Sequence, residues 1–264
     1  MLKLVACEFR KMKRKPLIYL SLLLAVLMPL ADALFFMNAG TDVDAVNNLM
    51  SSLFQLGANL LLMPYIVIMA AKLLFEELDY DTLKNLLTVP VSRVKLVLSK
   101  MLVLLIFALG FMALGGLADL LIVLVQGWQP VGFWPLFLVG LAEGIVMWAG
   151  ALPCVLLLVF LNKNYIVSVV ITFFYTIANY IFSLSDFFIM QPFGLNAGTL
   201  LPGPLAMRWY FQFFDHHSAG AEMAALLQRI TPYFLSAGQV LAVVVIESAV
   251  FLALIVLVYR RQEV

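Results

Sequence analysis

The chain has 264 residues, of which 64% are hydrophobic and only 12% are charged. Soluble domains are roughly 45–50% apolar and about 25% charged, so this composition excludes a soluble globular protein and indicates a membrane protein. The net charge of +1 does not by itself indicate what the protein binds, and we expect no nucleic-acid partner. The two cysteines, Cys7 and Cys154, lie in such different surroundings that we expect no disulfide.

The basic N-terminus predicts an amphipathic helix within residues 1–16. Leu2, Val5, Phe9 and Met12 recur at helical spacing and form one apolar stripe, which Lys and Arg side chains surround. Such a helix lies in the interface of an anionic membrane leaflet. The alternative is a basic flank that only orients the first membrane span.

Six runs of about 20 apolar residues follow, each long enough to cross the ~30 Å hydrocarbon core of a bilayer. They cover residues 17–37, 53–74, 101–125, 134–161, 165–184 and 237–259. The first run, with its basic flank and Ala31-x-Ala33, is similar to a secretory signal peptide, but it continues to Met37, so we expect it to be retained. Residues 38–50 are predicted to form a short acidic loop. The helix of the third span is predicted to begin at Ser92, which can cap it.

The distribution of Lys and Arg predicts the orientation. With both termini in the cytoplasm, the inner segments hold 14 basic residues and the outer segments hold only Arg208 and Arg229. We therefore expect one all-α membrane domain over residues 1–264, with six transmembrane helices, N-in and C-in. Two long interruptions remain: a cytoplasmic segment at 75–92 and an extracytoplasmic segment at 185–236 (the outer segment), where we expect short helices that are half-inserted or lie at the interface.

Motifs for enzymatic chemistry are missing. The chain has no G-x-x-x-x-G-K-[ST] and therefore no P-loop for a nucleotide, and it has no H-E-x-x-H. No Ser or Cys stands in a recognisable nucleophile pattern. We predict no catalytic residue, no metal site and no cofactor bound by this chain, and an intramembrane enzyme is disfavoured.

Three acidic residues, Asp119, Glu143 and Glu247, lie within the hydrophobic runs. An acid at the centre of a span costs about 2.5–3.5 kcal/mol, so Glu247, near the middle of the sixth span, is expected to face protein or a wet cavity. It either lines a translocation path or couples to protons, or it forms a hydrogen bond across a helix or subunit interface. Asp119 and Glu143 lie nearer the outer face, where we expect water to reduce the cost.

The cytoplasmic segment carries a short predicted helix at 82–88. Asp81 can cap this helix and Pro90 ends it. Its apolar face consists of Leu83, Leu86 and Leu87. Such a face must be buried against the bundle, the lipid surface or a partner protein. The acids at 76–81 argue against lipid, because the inner leaflet is itself negative.

The residues of this segment resemble the hallmark of ABC-2-type transporter permeases, in which an acid leads to T-L-K-N-L-L, then to P-x-S-R and to a Lys that opens the third span. The matching positions are Glu76 and Glu77, Thr82 to Leu87, Pro90 to Arg93, and Ser99-Lys100. The match covers about 27 residues, and elsewhere only the layout of the chain is similar. The size and the LLTVPVSR form look most like the branch for bacitracin resistance and lantibiotic immunity.

The resemblance implies a coupling helix that docks on a separate cytoplasmic ATPase, which binds ATP and Mg²⁺. The docking residues would be Glu76, Glu77, Asp81, Thr82, Leu83, Leu86, Leu87, Pro90 and Arg93. It further implies two ATPase copies, a second identical or different permease subunit, and a bacterial plasma membrane. The expected activity is export of an amphipathic antimicrobial peptide or antibiotic. The alternatives are another cargo, such as a small drug, a lipid or sodium, and a non-transporting anchor or sensor that recruits a cytoplasmic partner.

Overall fold

The structure is a computed structural model that describes residues 2–13, 16–36, 41–79, 92–161, 165–216 and 221–261. All regular structure in these ranges is helical. The long helices and the N-terminal helix are α1 (Leu2–Met12), α2 (Pro16–Phe36), α3 (Asp42–Ser52), α4 (Met63–Asp79), α5 (Arg93–Val125), α6 (Phe133–Leu161) and α7 (Tyr165–Ser183). The outer segment and the last span contain α8 (Asp186–Ile189), α9 (Ala197–Leu200), α10 (Pro202–Tyr210), α11 (Ala221–Ile230) and α12 (Ala237–Arg261).

Among the described residues, four helical stretches are long and apolar enough to cross a membrane by length and composition. They are Asp42–Leu74, Arg93–Val125, Phe133–Leu161 and Ala237–Arg260. Two shorter apolar helices, Ile18–Leu34 and Val167–Ser183, lie where the first and fifth spans are predicted. The all-helical polytopic membrane fold is therefore confirmed, while the count of six spans and their orientation stay predictions.

The predicted loop at 38–50 is wrong from residue 41 onward. Thr41 caps a helix, because its hydroxyl oxygen accepts a hydrogen bond from the Asp44 amide at 3.1 Å. From there α3, a π-helical segment (Leu53–Leu62) and α4 follow without a break, so the second span begins about ten residues earlier than predicted. Within the π-helical segment, the Asn59 side-chain amide donates to the Phe54 backbone carbonyl at 3.2 Å.

The start of α5 is confirmed as predicted. Ser92 has an extended backbone, and its side chain accepts a hydrogen bond from the Lys95 amide. At the other end of α5, the turn before α6 contains Gly127 and Gly132, both with positive φ, which costs glycine no steric strain.

The core forms where α5 and α6 pack together, with α2, α4 and α12 around them. The outer helix α10 packs against α6 and α7, and all nine of its residues are buried. Phe54 on the second span makes an edge contact with Tyr210 of this helix, at 5.1 Å between ring centroids, and another with Phe214, which follows the helix, at 5.6 Å. Part of the outer segment is therefore inserted into the bundle, which is one of the two arrangements expected from the sequence.

Candidate functional site

Most of the predicted docking segment lies outside the described residues. This applies to Asp81, Thr82, Leu83, Leu86, Leu87 and Pro90. Glu76 and Glu77 belong to the last turns of α4, but their side chains also lie outside the description. Arg93 is the first residue of α5, and its guanidinium donates to the Arg260 carbonyl at 3.3 Å, near the end of α12.

A buried ion pair lies where the two helices that flank the docking segment meet α1. Lys100 on α5 is 1% exposed, and its ammonium lies 3.5 Å from a carboxylate oxygen of Glu8 on α1. The same ammonium donates to the Leu73 carbonyl on α4. The other Glu8 oxygen accepts from Lys11 at 2.8 Å. One lysine thus joins α1, α4 and α5 at the point from which the docking segment extends.

The expectation that water reaches Asp119 and Glu143 is wrong. Asp119 is 1% exposed and Glu143 is fully buried. None of their four carboxyl oxygens has a hydrogen-bond partner among the described residues. Helices packed around these positions exclude water, and a depth argument from the sequence could not detect that. Each acid is therefore a buried polar group without a described hydrogen-bond partner, which is unusual in a protein interior.

The surroundings of Asp119 include a second acid. Asp32 on α2 is close enough to interact electrostatically with Asp119. The Asp32 carboxylate accepts a hydrogen bond from the Ser52 hydroxyl at 2.6 Å. The pair was missed from the sequence because Asp32 lies near the end of the first span, where an acid is ordinary.

Glu143 and Glu247 have separate surroundings. Glu143 on α6 interacts electrostatically with Tyr210 on α10. Glu247 on α12 is half-buried and interacts electrostatically with Tyr175 on α7. The three predicted acids therefore do not form one cluster. In the part of the chain that the structure describes, no group of three or more His, Cys, Asp or Glu side chains could hold a metal ion.

A polar face on α7 was also missed. It is buried and consists of Ser168, Thr172, Thr176, Asn179 and Ser183. These residues recur at intervals of three or four, which is a signal that the sequence contains. The Asn179 side-chain oxygen accepts from the Gly203 amide at 3.4 Å, so this face contacts the start of α10.

Arg208 holds the outer segment together. It is 1% exposed and donates to three carbonyls, those of Tyr233 at 3.0 Å, Gly198 at 2.8 Å and Gln191 at 2.7 Å. Burial lowers the pKa of the Arg208 guanidinium from its usual value. From the sequence this residue counted only as one of two outer basic residues, because its partners are distant carbonyls that no residue type reveals.

Comparison with known proteins gives one family match. A family model described as ABC-2 family transporter protein matches residues 4–179, about two thirds of the chain. The matched range includes α1, the docking segment and the helices up to most of α7. No curated protein matches the chain.

Proposed function

The chain belongs to the ABC-2 family transporter proteins, and we propose that it is the permease of an exporter that removes amphipathic antimicrobial peptides or antibiotics. As a member of this family it is a multi-pass membrane subunit of an ABC transporter and works with an ABC ATPase. The peptide cargo and the bacterial plasma membrane belong to the proposal. Its support is the similarity of the docking segment and its LLTVPVSR motif to the peptide-resistance branch.

The observation that carries the mechanism is the Glu8–Lys100 pair. In our proposal the helix at 82–88 docks on the ATPase, and ATP-driven movement of the ATPase pushes on this helix. Because Lys100 joins α1, α4 and α5 next to the docking segment, the push would be transmitted to all three helices together. The chain itself would bind no ATP or Mg²⁺ and catalyse no reaction, so hydrolysis belongs to the ATPase.

The free surface of α12 supports a second permease subunit in the assembly. In the most apolar part of α12 only 22% of the residues are buried, whereas 56–67% are buried in the other three long apolar stretches of the described chain. Glu247 lies half-buried beside this surface, and an acid at this depth is expected to face protein or a wet cavity, either of which a second subunit would supply. We propose an assembly of two permease subunits, identical or different, with two ATPase copies.

Co-purification tests the docking step. Wild-type chain is expected to capture an ATPase subunit, recognised by mass spectrometry from its P-loop. The double substitution Leu86→Asp and Leu87→Asp is expected to abolish capture, because carboxylates cannot enter an apolar groove. The control, Leu86→Met with Leu87→Met, keeps apolar volume and should capture normally. Unchanged capture by the Asp variant would refute the docking assignment.

Growth inhibition by a panel of antimicrobial peptides tests the cargo. Cells that carry the gene and its ATPase are expected to tolerate cationic amphipathic peptides better than cells without them. Protection only against small drugs, or altered growth only with lipid or sodium challenge, would favour the other cargo classes. ATPase capture with no protection against any compound would favour the non-transporting anchor.

A further inference from the structure

A groove of about 240 Å³ lies between α6, α10 and the start of α12. Seven of the eight described residues that line it are Ala, Val, Ile or Leu, and the eighth is Trp209. The wall on α12 extends from Ala237 to Val244, the first two turns of the helix, and α12 begins where the outer segment ends. The Lys and Arg distribution therefore predicts that the groove lies in the outer half of the membrane.

The groove is too narrow for a helix. From Ala237 to Val244 the wall on α12 rises about 10 Å, at 1.5 Å per residue. A volume of about 240 Å³ over that length gives a mean cross-section of roughly 24 Å². A helix about 10 Å across needs roughly 80 Å², so a helix of a second subunit does not fit. Non-bonded carbons approach to about 4 Å, so one extended hydrocarbon chain needs only about 16 Å² and fits.

One side of the groove opens away from the bundle. Leu241 is 64% exposed and Ile145 is 36% exposed, whereas Val240 and Val146 are nearly fully buried. The groove lies at the edge of the free surface of α12, and Val245, which belongs to that surface, does not line it. A second subunit can therefore cover the rest of the surface without filling the groove. The open side faces the acyl chains of the outer leaflet.

Trp209 supplies the single polar side-chain atom among the described residues that line the groove. Its Nε1 is buried and has no hydrogen-bond partner among the described residues, although a buried indole N–H normally has an acceptor. The ring is held by an edge contact with Phe213, at 5.8 Å between centroids. The preceding residue, Arg208, accepts a hydrogen bond from the Leu235 amide at 3.1 Å, just before α12, so Trp209 lies near the outer end of the groove.

We propose that this groove binds one acyl chain of a phospholipid of the outer leaflet, and that the ester carbonyl of the lipid accepts a hydrogen bond from Trp209 Nε1. A phospholipid supplies both parts of this match, because the ester stands at the end of an apolar chain. Tryptophan is enriched at this level of a bilayer, where its ring meets apolar and polar groups together. The bound chain packs against α6, α10 and α12 at once and so joins the outer segment to the last span. The site does not depend on the peptide cargo proposed above.

A lipid without ester carbonyls tests the hydrogen bond. Diester and diether phosphatidylcholine with the same chains are added in equal amounts to the permease–ATPase complex in detergent, and native mass spectrometry counts the bound lipids and the subunits. The zwitterionic headgroup avoids attraction to the basic residues of α1. Wild type is expected to retain about fivefold more diester than diether, the contribution of one neutral hydrogen bond. Trp209→Phe keeps an aromatic ring without the donor and should retain the two lipids equally.

Filling the groove tests the acyl chain. Val240→Phe places a ring in the groove and should abolish retention of the lipid. The matched control, Val245→Phe, adds the same ring to the exposed surface of the same helix and should retain it.

Equal retention of diester and diether by wild type, or a diester preference that Trp209→Phe leaves unchanged, would overturn the assignment. Equal lipid retention by the two Phe variants would also overturn it. Loss of a permease subunit from Val240→Phe, with the lipid kept, would assign the groove to a subunit contact instead.

Discussion

Replacement of Lys100 by Met tests whether one buried lysine joins α1 to the bundle. The Lys100 side chain is 1% exposed and the Glu8 side chain is 4% exposed, so both charges of this pair are removed from water. Met has a similar length but no charge, so Lys100→Met leaves the Glu8 carboxylate buried with Lys11 as its remaining partner. The Lys11 side chain is 39% exposed and compensates only in part.

The magnitude follows from the burial of the pair. Removal of one partner from a buried ion pair costs about 3–5 kcal/mol, and we expect the low end here because Lys11 remains. Replacement of both partners by apolar residues is often neutral, so Glu8→Met with Lys100→Met should be more stable than Lys100→Met alone. On the scaling of soluble domains, a loss of about 3 kcal/mol lowers Tm by roughly 6–12 °C.

A thiol-reactive dye measures this unfolding. Cys7 is exposed and Cys154 is buried, so a Cys7→Ser background leaves one thiol that reacts only when the bundle opens. Lys95→Met is the control, because Lys95 is an exposed lysine on the same helix and its loss should change Tm little. Equal Tm values for Lys100→Met and Lys95→Met would refute the argument that the buried pair holds α1, α4 and α5 together.

Three further predictions follow from the membrane interior and the outer segment. Arg208→Met leaves three carbonyls without their buried donor and should lower the free energy of unfolding by about 3 kcal/mol or more, measured with the same dye. Gly203→Ala would place a methyl group 2.5 Å from the Asn179 carbonyl oxygen and should destabilise the protein, whereas Gly110→Ala meets nothing within 4 Å and should be neutral or stabilising by up to about 1 kcal/mol. If Glu247 lines a carboxylate pathway, Glu247→Gln should abolish transport while expression and assembly persist; normal transport by this variant would exclude that pathway and leave the alternative of a hydrogen bond across an interface.

The second span shows how a helix was misread as a loop. Residues 42–52 are polar and acidic overall, which favoured a loop in the sequence. Val46, Leu49, Met50 and Leu53 are buried in the structure and recur at i, i+3, i+4 and i+7. The helical period was therefore present, but its apolar face is buried only because the rest of the bundle covers it. The polar face that misled the interpretation lines a cavity whose opposite wall includes Phe211 and Phe214.

For a related reason, only part of the candidate site could be predicted from the sequence. The docking segment was predicted from residues within a short stretch of chain, and it stays a prediction because the helix predicted at 82–88 lies outside the described residues. Lys100 was noticed only as part of a motif, and its partner Glu8 is 92 positions away. Asp119 and Glu143 were found by residue type, but their burial was misjudged. The packing of neighbouring helices decides whether water reaches an acidic side chain. The position of a residue along its span does not predict this packing.

The sequence by itself determined those properties that depend on a single segment of the chain. Hydrophobic runs of membrane length indicated the fold class, Ser92 marked the start of α5, and a family motif indicated the docking segment. The tertiary structure alone decided which distant groups meet. It brought Lys100 to Glu8, surrounded Arg208 with carbonyls and opened a polar cavity against Phe211. Membrane insertion and helix capping depend on residues within one segment. Burial and side-chain pairing depend on residues from distant segments, which meet only when the chain folds.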